Sequence, residues 1–237
     1  MIKCTVCLAE NDDFATTCVQ CKAFLQDRVP NLNLFETGWK ILESPRKAFR
    51  TINLAEHKNY GLFLFSLFGI SLSFTFFWYF KLGTRFESLL DLMPWAVCVG
   101  VTGGVVLAVP MTLIYHLVAK LLGGSTSIRG SFALLGYSFT PIVLSIFLVL
   151  PIELLTFGMY LFTSNPSPYS IKPASYIVLV GFDVLLSVWS IGLAVLGTKV
   201  AHRLSIARCT IAVLCTLGVL GGCVFLAAQQ LHLMDRL

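Results

Sequence analysis

The sequence predicts an all-α membrane protein: a five-span transmembrane helical bundle preceded by a small zinc knuckle and an amphipathic interfacial helix. Three observations carry that expectation. Of 237 residues, 57% are hydrophobic and 12% charged, with a mean hydropathy of +0.82, whereas a soluble domain carries about a quarter charged residues. Charge is also segregated. Residues 1–59 hold eight of the 17 Lys/Arg and seven of the 12 Asp/Glu, so the remaining 178 residues share only 14 formal charges. Finally, two CxxC pairs, Cys4/Cys7 and Cys18/Cys21, stand ahead of the apolar body.

Residues 1–25 form the first unit. Two residues between paired thiols let the backbone turn back, so that four sulfurs can face one centre, and this pattern points to tetrahedral Zn²⁺. Redox-active or adventitious thiols are the alternative. Disulfides are not expected, because no signal peptide stands ahead of the pairs and a cytosolic terminus is reducing. Four thiolates leave no open coordination position, so the zinc is structural and supplies no catalysis. Residues 1–24 carry Lys3 and Lys22 against Glu10, Asp12 and Asp13, a balance that argues against nucleic acid as a partner. The unit is expected either to dock a cytosolic protein or simply to cap the chain.

Residues 26–59 are expected to be a linker and an amphipathic helix. Pro30 and two Asn discourage regular structure across 22–33. Ser44-Pro45 supplies a helix start. Beyond it Ala48, Phe49 and Ile52 share one face, while the basic Arg46, Lys47 and Arg50 occupy the other. That pattern suits a helix lying in the bilayer interface, or a solvated helix leading into the first span.

Residues 60–230 hold the spans, expected at 60–80, 93–122, 132–162, 176–196 and 210–228 on a rise of about 1.5 Å per residue against a hydrocarbon core of ~30 Å. Pro110 marks a kink in the second. Pro141 and Pro151 each remove a backbone donor from the third, which is expected to bend or break. Gly100/Gly104 and Gly218/Gly222 allow close helix packing. Basic residues set the topology. With a cytosolic N-terminus, that side also receives Lys120, Arg129, Lys199, Arg203 and Arg208, against Lys81, Arg85, Lys172 and Arg236 opposite.

Two acids fall inside spans. Counted from the outer ends, Glu153 lies at a depth of roughly 13 Å and Asp183 at roughly 10 Å, with no Lys or Arg at that level. They are read either as a proton or cation site beside the Pro151 break or as two protonated side chains hydrogen-bonded to hydroxyls or freed carbonyls. His116 and His202 are expected as interfacial residues, and Cys98, Cys209, Cys215 and Cys223 as small apolar packers. No HExxH, P-loop, dinucleotide fingerprint or nucleophile elbow is present, and no enzyme is expected.

The loop Leu121-Leu122-Gly123-Gly124-Ser125-Thr126-Ser127-Ile128-Arg129-Gly130-Ser131-Phe132, followed by Leu135-Gly136-Tyr137-Ser138 and Pro141, resembles the Yip-domain family of Ypt/Rab-interacting membrane proteins. Ser44-Pro45-Arg46-Lys47-Ala48-Phe49, Trp189-Ser190 and residues 197–208 are similar to other parts of that family. The resemblance covers roughly residues 40–230. It implies a five-span bundle with a cytosolic N-terminus. For eukaryotic members it implies a trafficking adaptor, and some prokaryotic relatives are thought to assist export complexes. A zinc ribbon ahead of such a domain looks like the prokaryotic branch. The expected function is therefore a non-enzymatic membrane adaptor or assembly factor whose partners are the bilayer and a cytosolic protein. It would sit in a prokaryotic inner membrane or, alternatively, in the ER or Golgi. The alternative function is a transporter or lipid-handling protein using Glu153 and Asp183.

Overall fold

A computed structural model describes residues 1–12, 14–26 and 29–234, with side chains described as far as residue 222. The chain opens on a two-stranded antiparallel pair, β1 (Ile2–Lys3) and β2 (Glu10–Asn11), with Ile2 opposite Asn11. Beyond the knuckle the expected linker is not irregular. Val29–Asn31 is a strand, β3, that pairs in parallel with β4 (Ala55–His57). Pro30 is tolerated because the sheet has only two strands, so every residue is on an edge.

Between these strands lie α1 (Leu34–Glu43), capped by Asn33 whose side chain accepts from the Phe35 and Glu36 amides, and α2 (Pro45–Leu54), which starts on proline. The apolar face of α2 does not meet lipid. Ala48, Phe49 and Ile52 are buried in the main protein core, where Gly197 leaves a notch for the Phe49 ring. Arg46, Lys47 and Arg50 remain exposed. The Lys58 ammonium closes the C-terminal end of α2 by donating to the carbonyls of Ile52 (2.7 Å), Asn53 (3.1 Å) and Ala55 (3.0 Å).

Among the described residues four helices are long and apolar enough to cross a membrane. They are α3 (Gly61–Tyr79), α4 (Leu89–Leu121), the broken helix Ile128–Phe162, and α9 (Pro173–His202), which follows the short α8 (Pro168–Ile171). A further helix, α10, runs Ile206–Met234; its described apolar part ends at Gly222, so the expected span 210–228 lies partly outside the described side chains. In α4, Pro110 sits inside one continuous helix.

The third span breaks where its prolines predict. It consists of α5 (Ile128–Ser138), α6 (Thr140–Leu148), α7 (Leu150–Phe157) and a 3-10 turn, Gly158–Phe162. Pro141 cannot donate to the Tyr137 carbonyl; the Thr140 hydroxyl does so instead, at 2.7 Å. The Ile142 amide donates to Ser190 Oγ on α9 at 3.3 Å. A freed acceptor and a freed donor are both satisfied inside the bundle, as a low-dielectric surrounding demands.

Gly100 and Gly104 seat α4 against α3. A Cβ on Gly100 would fall 2.5 Å from Ile70 Cα, and one on Gly104 would strike the Phe65 carbonyl. The second expected small-residue pair does not do this. Nothing lies within 4 Å of a Cβ built on Gly218 or Gly222 among the described residues, so those two face outward. The core is aromatic where α3 meets the broken span: Phe68 stacks on Phe139 at 3.8 Å between centroids and Phe65 on Phe132 at 5.0 Å.

Candidate functional site

Each CxxC pair builds the same turn. The Leu8 amide donates to the Cys4 carbonyl at 3.0 Å, and the Lys22 amide to the Cys18 carbonyl at 3.1 Å. The Cys4 amide reaches Ala9 O at 2.9 Å and the Cys18 amide reaches Ala23 O at 2.8 Å. Leu8 and Lys22 both take left-handed backbone, with φ of 60° and 61°. Two copies of one knuckle thus face each other.

All four sulfurs lie within 4.8 Å of one another, with Cys4 Sγ to Cys21 Sγ and Cys7 Sγ to Cys18 Sγ both 3.5 Å. A tetrahedron of Zn–S bonds of about 2.3 Å has an edge of about 3.8 Å, so the donor set fits zinc. Amides also aim at the sulfurs: Val6 N–H points to Cys4 Sγ at 3.4 Å and the Asn11 side-chain amide to Cys18 Sγ at 3.5 Å. The Cys7 amide, then that of Val6, hold the Cys4 thiol below its ordinary range, and the Cys21 amide leads in drawing Cys18 down to about 6. At Cys21 the Ala23 amide works in the same direction, but the Cys7 sulfur, burial and the other two thiols outweigh it and push Cys21 up to about 12. Sulfurs this close cannot all carry charge without a cation among them. These residues would hold Zn²⁺ with the electrostatics of a closed structural site.

The knuckle is docked on the bundle. Arg203, the left-handed residue that ends α9, donates to Asp12 Oδ1 at 2.5 Å and lies over the Phe14 ring at 5.1 Å. The pair holds the Asp12 carboxyl below the usual carboxylate range, the Arg203 hydrogen bond being the largest cause and the Phe14 amide the next. Val6, Leu8, Val19 and Phe24 of the knuckle are each 72–75% exposed.

The two loops expected on the same side as the knuckle are joined there. Gly123, at φ +96°, closes α4: its amide reaches Lys120 O, and the Gly124 amide reaches Ala119 O at 2.8 Å. Thr126 Oγ1 then donates to Ala201 O at 2.5 Å, and Arg208 Nη1 to Leu122 O at 3.4 Å. Ser127 caps α5 by accepting from the Gly130 amide.

His202 closes α9 with its ring buried in protein. It is 1% exposed, and Ser131 Oγ bridges its Nε2 (3.4 Å) to His116 Nδ1 (2.9 Å). Sequence spacing could not reveal this, since 71 residues separate Ser131 from His202. Of the scattered cysteines, Cys209 is buried as expected; Cys98 and Cys215 are exposed on the outer faces of their helices, and Cys223 lies outside the described side chains.

Glu153 and Asp183 line one cavity of about 280 Å³ between α3, the α6–α7 break and α9. Asp183 accepts a hydrogen bond from Ser145 Oγ, so one acid has the hydroxyl partner that a structural role requires. The side chain of Glu153, 7% exposed, makes no hydrogen bond among the described residues. The exposed basic residues Arg46, Lys47, Arg50 and Arg129 stay apart from this cavity.

A family model described as the Yip1 domain matches residues 39–228. No curated protein and no solved structure matches the chain.

Proposed function

Because the chain belongs to the Yip1 domain family, we propose that it is a non-enzymatic membrane adaptor whose five-span bundle carries a zinc-held docking module for a cytosolic protein. The observation that carries this reading is the knuckle itself. Its four thiols converge on one centre, and it is tied to the bundle through Asp12 and Arg203 while four large apolar side chains are exposed. Four exposed apolar side chains on so small a unit offer a partner apolar surface to cover.

Zinc is assigned a folding role only. Coordination of this kind contributes on the order of 10–16 kcal/mol, enough to order a segment with almost no core. The basic side groups the knuckle with Arg129, Lys199, Arg203 and Arg208, which supports a cytosolic N-terminus by the positive-inside rule. A prokaryotic cell membrane is the proposed location. Since α2 spends its apolar face on protein, the interfacial anchor falls to α1. Phe35 (86% exposed) and Trp39 (67% exposed) project from it beside Lys40, and Arg46, Lys47, Arg50 and Arg129 supply charge toward anionic headgroups.

Affinity purification from native membranes, with the full chain and with residues 1–30 deleted, tests the adaptor. The full chain is expected to retain a stable partner in mild detergent that the truncated chain loses. Identical partner sets for the two chains would remove the docking role.

A further inference from the structure

The cavity at the break in the third span has a composition that neither folding nor docking explains. α3 and α9 both pack on α6 and leave a cleft between them, which the α6–α7 break deepens. Phe74, Trp78 and Phe162 supply aromatic wall, and Glu153 and Asp183 are its two ionisable groups. No Lys, Arg or His lines it among the described residues. Lys81 sits over the Trp78 ring, 5.1 Å from its centroid, and is not part of the wall.

Two polar groups there lack partners among the described residues. The Glu153 side chain, on a residue 7% exposed, has no hydrogen-bond partner among the described residues, and Trp78 Nε1 is a buried donor without one. Unpartnered groups in a low-dielectric surrounding are costly, and they mark a wall built to receive a ligand. Of its lining residues, Thr75, Val184 and Val188 are exposed and form the rim. The cleft therefore opens between the exposed faces of α3 and α9.

We propose that this cleft binds an ammonium group carried on an apolar body. Two carboxyl groups side by side, with no Lys, Arg or His among the described lining residues, favour a cation over an anion as the ligand. An organic cation is favoured over a metal ion. Hard metal ions need six or more converging oxygens, whereas this wall is mostly aromatic and aliphatic and Asp183 is already engaged by Ser145. Aromatic faces beside carboxylates are the surroundings in which ammonium groups are recognised. The cavity, at about 280 Å³, far exceeds the space one water needs and falls near the lower end of small-ligand pockets. The source is either a lipid headgroup amine or a free lipophilic amine.

The full chain, purified in a neutral detergent, is titrated with octylammonium chloride while its melting temperature is followed. A saturable rise is expected, with affinity falling about tenfold or more in Glu153→Gln and in Asp183→Asn, the loss expected for one charged hydrogen bond. Octanol at the same concentrations should give no saturable rise. Should the acid variants fail to fold, Val184→Trp blocks the mouth from a side chain already 57% exposed, and it should lose the response with both acids intact. An equal response to octanol, full affinity in Val184→Trp, or a rise with sodium or calcium salts and none with octylammonium would each overturn the proposal. Reconstitution into phosphatidylethanolamine or phosphatidylglycerol nanodiscs distinguishes the sources. Competition by the first alone assigns the ammonium to a headgroup, and competition by neither assigns it to a free amine. Equal competition by both overturns the requirement for an ammonium.

Discussion

Adding one methyl group to Gly100 tests the packing of the bundle against an internal control. A Cβ there would fall 2.5 Å from Ile70 Cα and 2.9 Å from Ile70 N, both backbone atoms that no rotamer change can remove. Carbon pairs rest at about 3.5–4.0 Å, so α3 and α4 must part locally by about 1 Å. A gap of that size forfeits a quarter to a half of each contact's attraction, and overpacking of this kind costs about 1–3 kcal/mol. At roughly 2–4 °C per kcal/mol for a chain of this size, Gly100→Ala should lower the melting temperature by about 2–12 °C. Three residues on, a Cβ on Gly103 meets nothing within 4 Å. Gly103→Ala should be neutral or stabilising by up to about 1 kcal/mol, from helix propensity alone. Both variants can be melted in the same detergent, followed by tryptophan fluorescence and by retention of a monodisperse elution profile. Equal melting temperatures for the two variants would refute the close approach of α3 and α4.

Truncation of Phe49 to Ala should cost about 3–5 kcal/mol, because its ring is buried in the core rather than in lipid. A loss under about 1 kcal/mol, measured by thermal melting, would return α2 to the interface. Thr140→Val should cost about 1 kcal/mol by leaving the Tyr137 carbonyl without the hydroxyl that replaces Pro141's missing amide; the same melting assay reads it. The Asp12–Arg203 pair is partly exposed, at 58% and 35%, so it contributes no more than about 1 kcal/mol. Because Arg203 lowers the Asp12 carboxyl in the folded state, that contribution is fully present above the ordinary carboxylate value of 3.8 and is lost as pH falls through the lower folded value. Asp12→Asn should remove it at neutral pH, seen as faster proteolytic release of residues 1–25 with no change in bundle melting. On topology, an impermeant maleimide applied to intact cells should label a cysteine placed at Ser167 and spare one placed at Ser125, each in a background lacking Cys98 and Cys215.

Local chemistry made much of this molecule legible before its coordinates. Cysteine spacing fixes where a knuckle turns, and the mirrored hydrogen bonds of Cys4 and Cys18 follow from it. Proline removes one named donor, so the breaks beside Pro141 and Pro151 could be placed within two residues. Gly123-Gly124 likewise announced the end of α4. What sequence could not supply was the partner of each surface. An amphipathic helix shows the same face to a protein groove as to lipid, and α2 turned out to meet protein. The β3–β4 pairing joins residues that no periodicity connects, across two intervening helices. Ser131 between His116 and His202 depends on two helix ends meeting. Depth counting and the Pro151 break set Glu153 and Asp183 at one level beside that break, where they line one cavity; the aromatic wall that α3 adds to it had no signature of its own.

Zinc-dependent capture is the most direct test of the docking module. Wild-type chain and Cys18→Ser chain are purified from the same native membranes in mild detergent, and zinc is measured by elemental analysis alongside the co-purifying proteins. The account predicts one zinc per wild-type chain and a partner that departs together with the zinc in Cys18→Ser, while the bundle elutes and melts unchanged. A Cys18→Ser chain that keeps every partner after losing its zinc would contradict it.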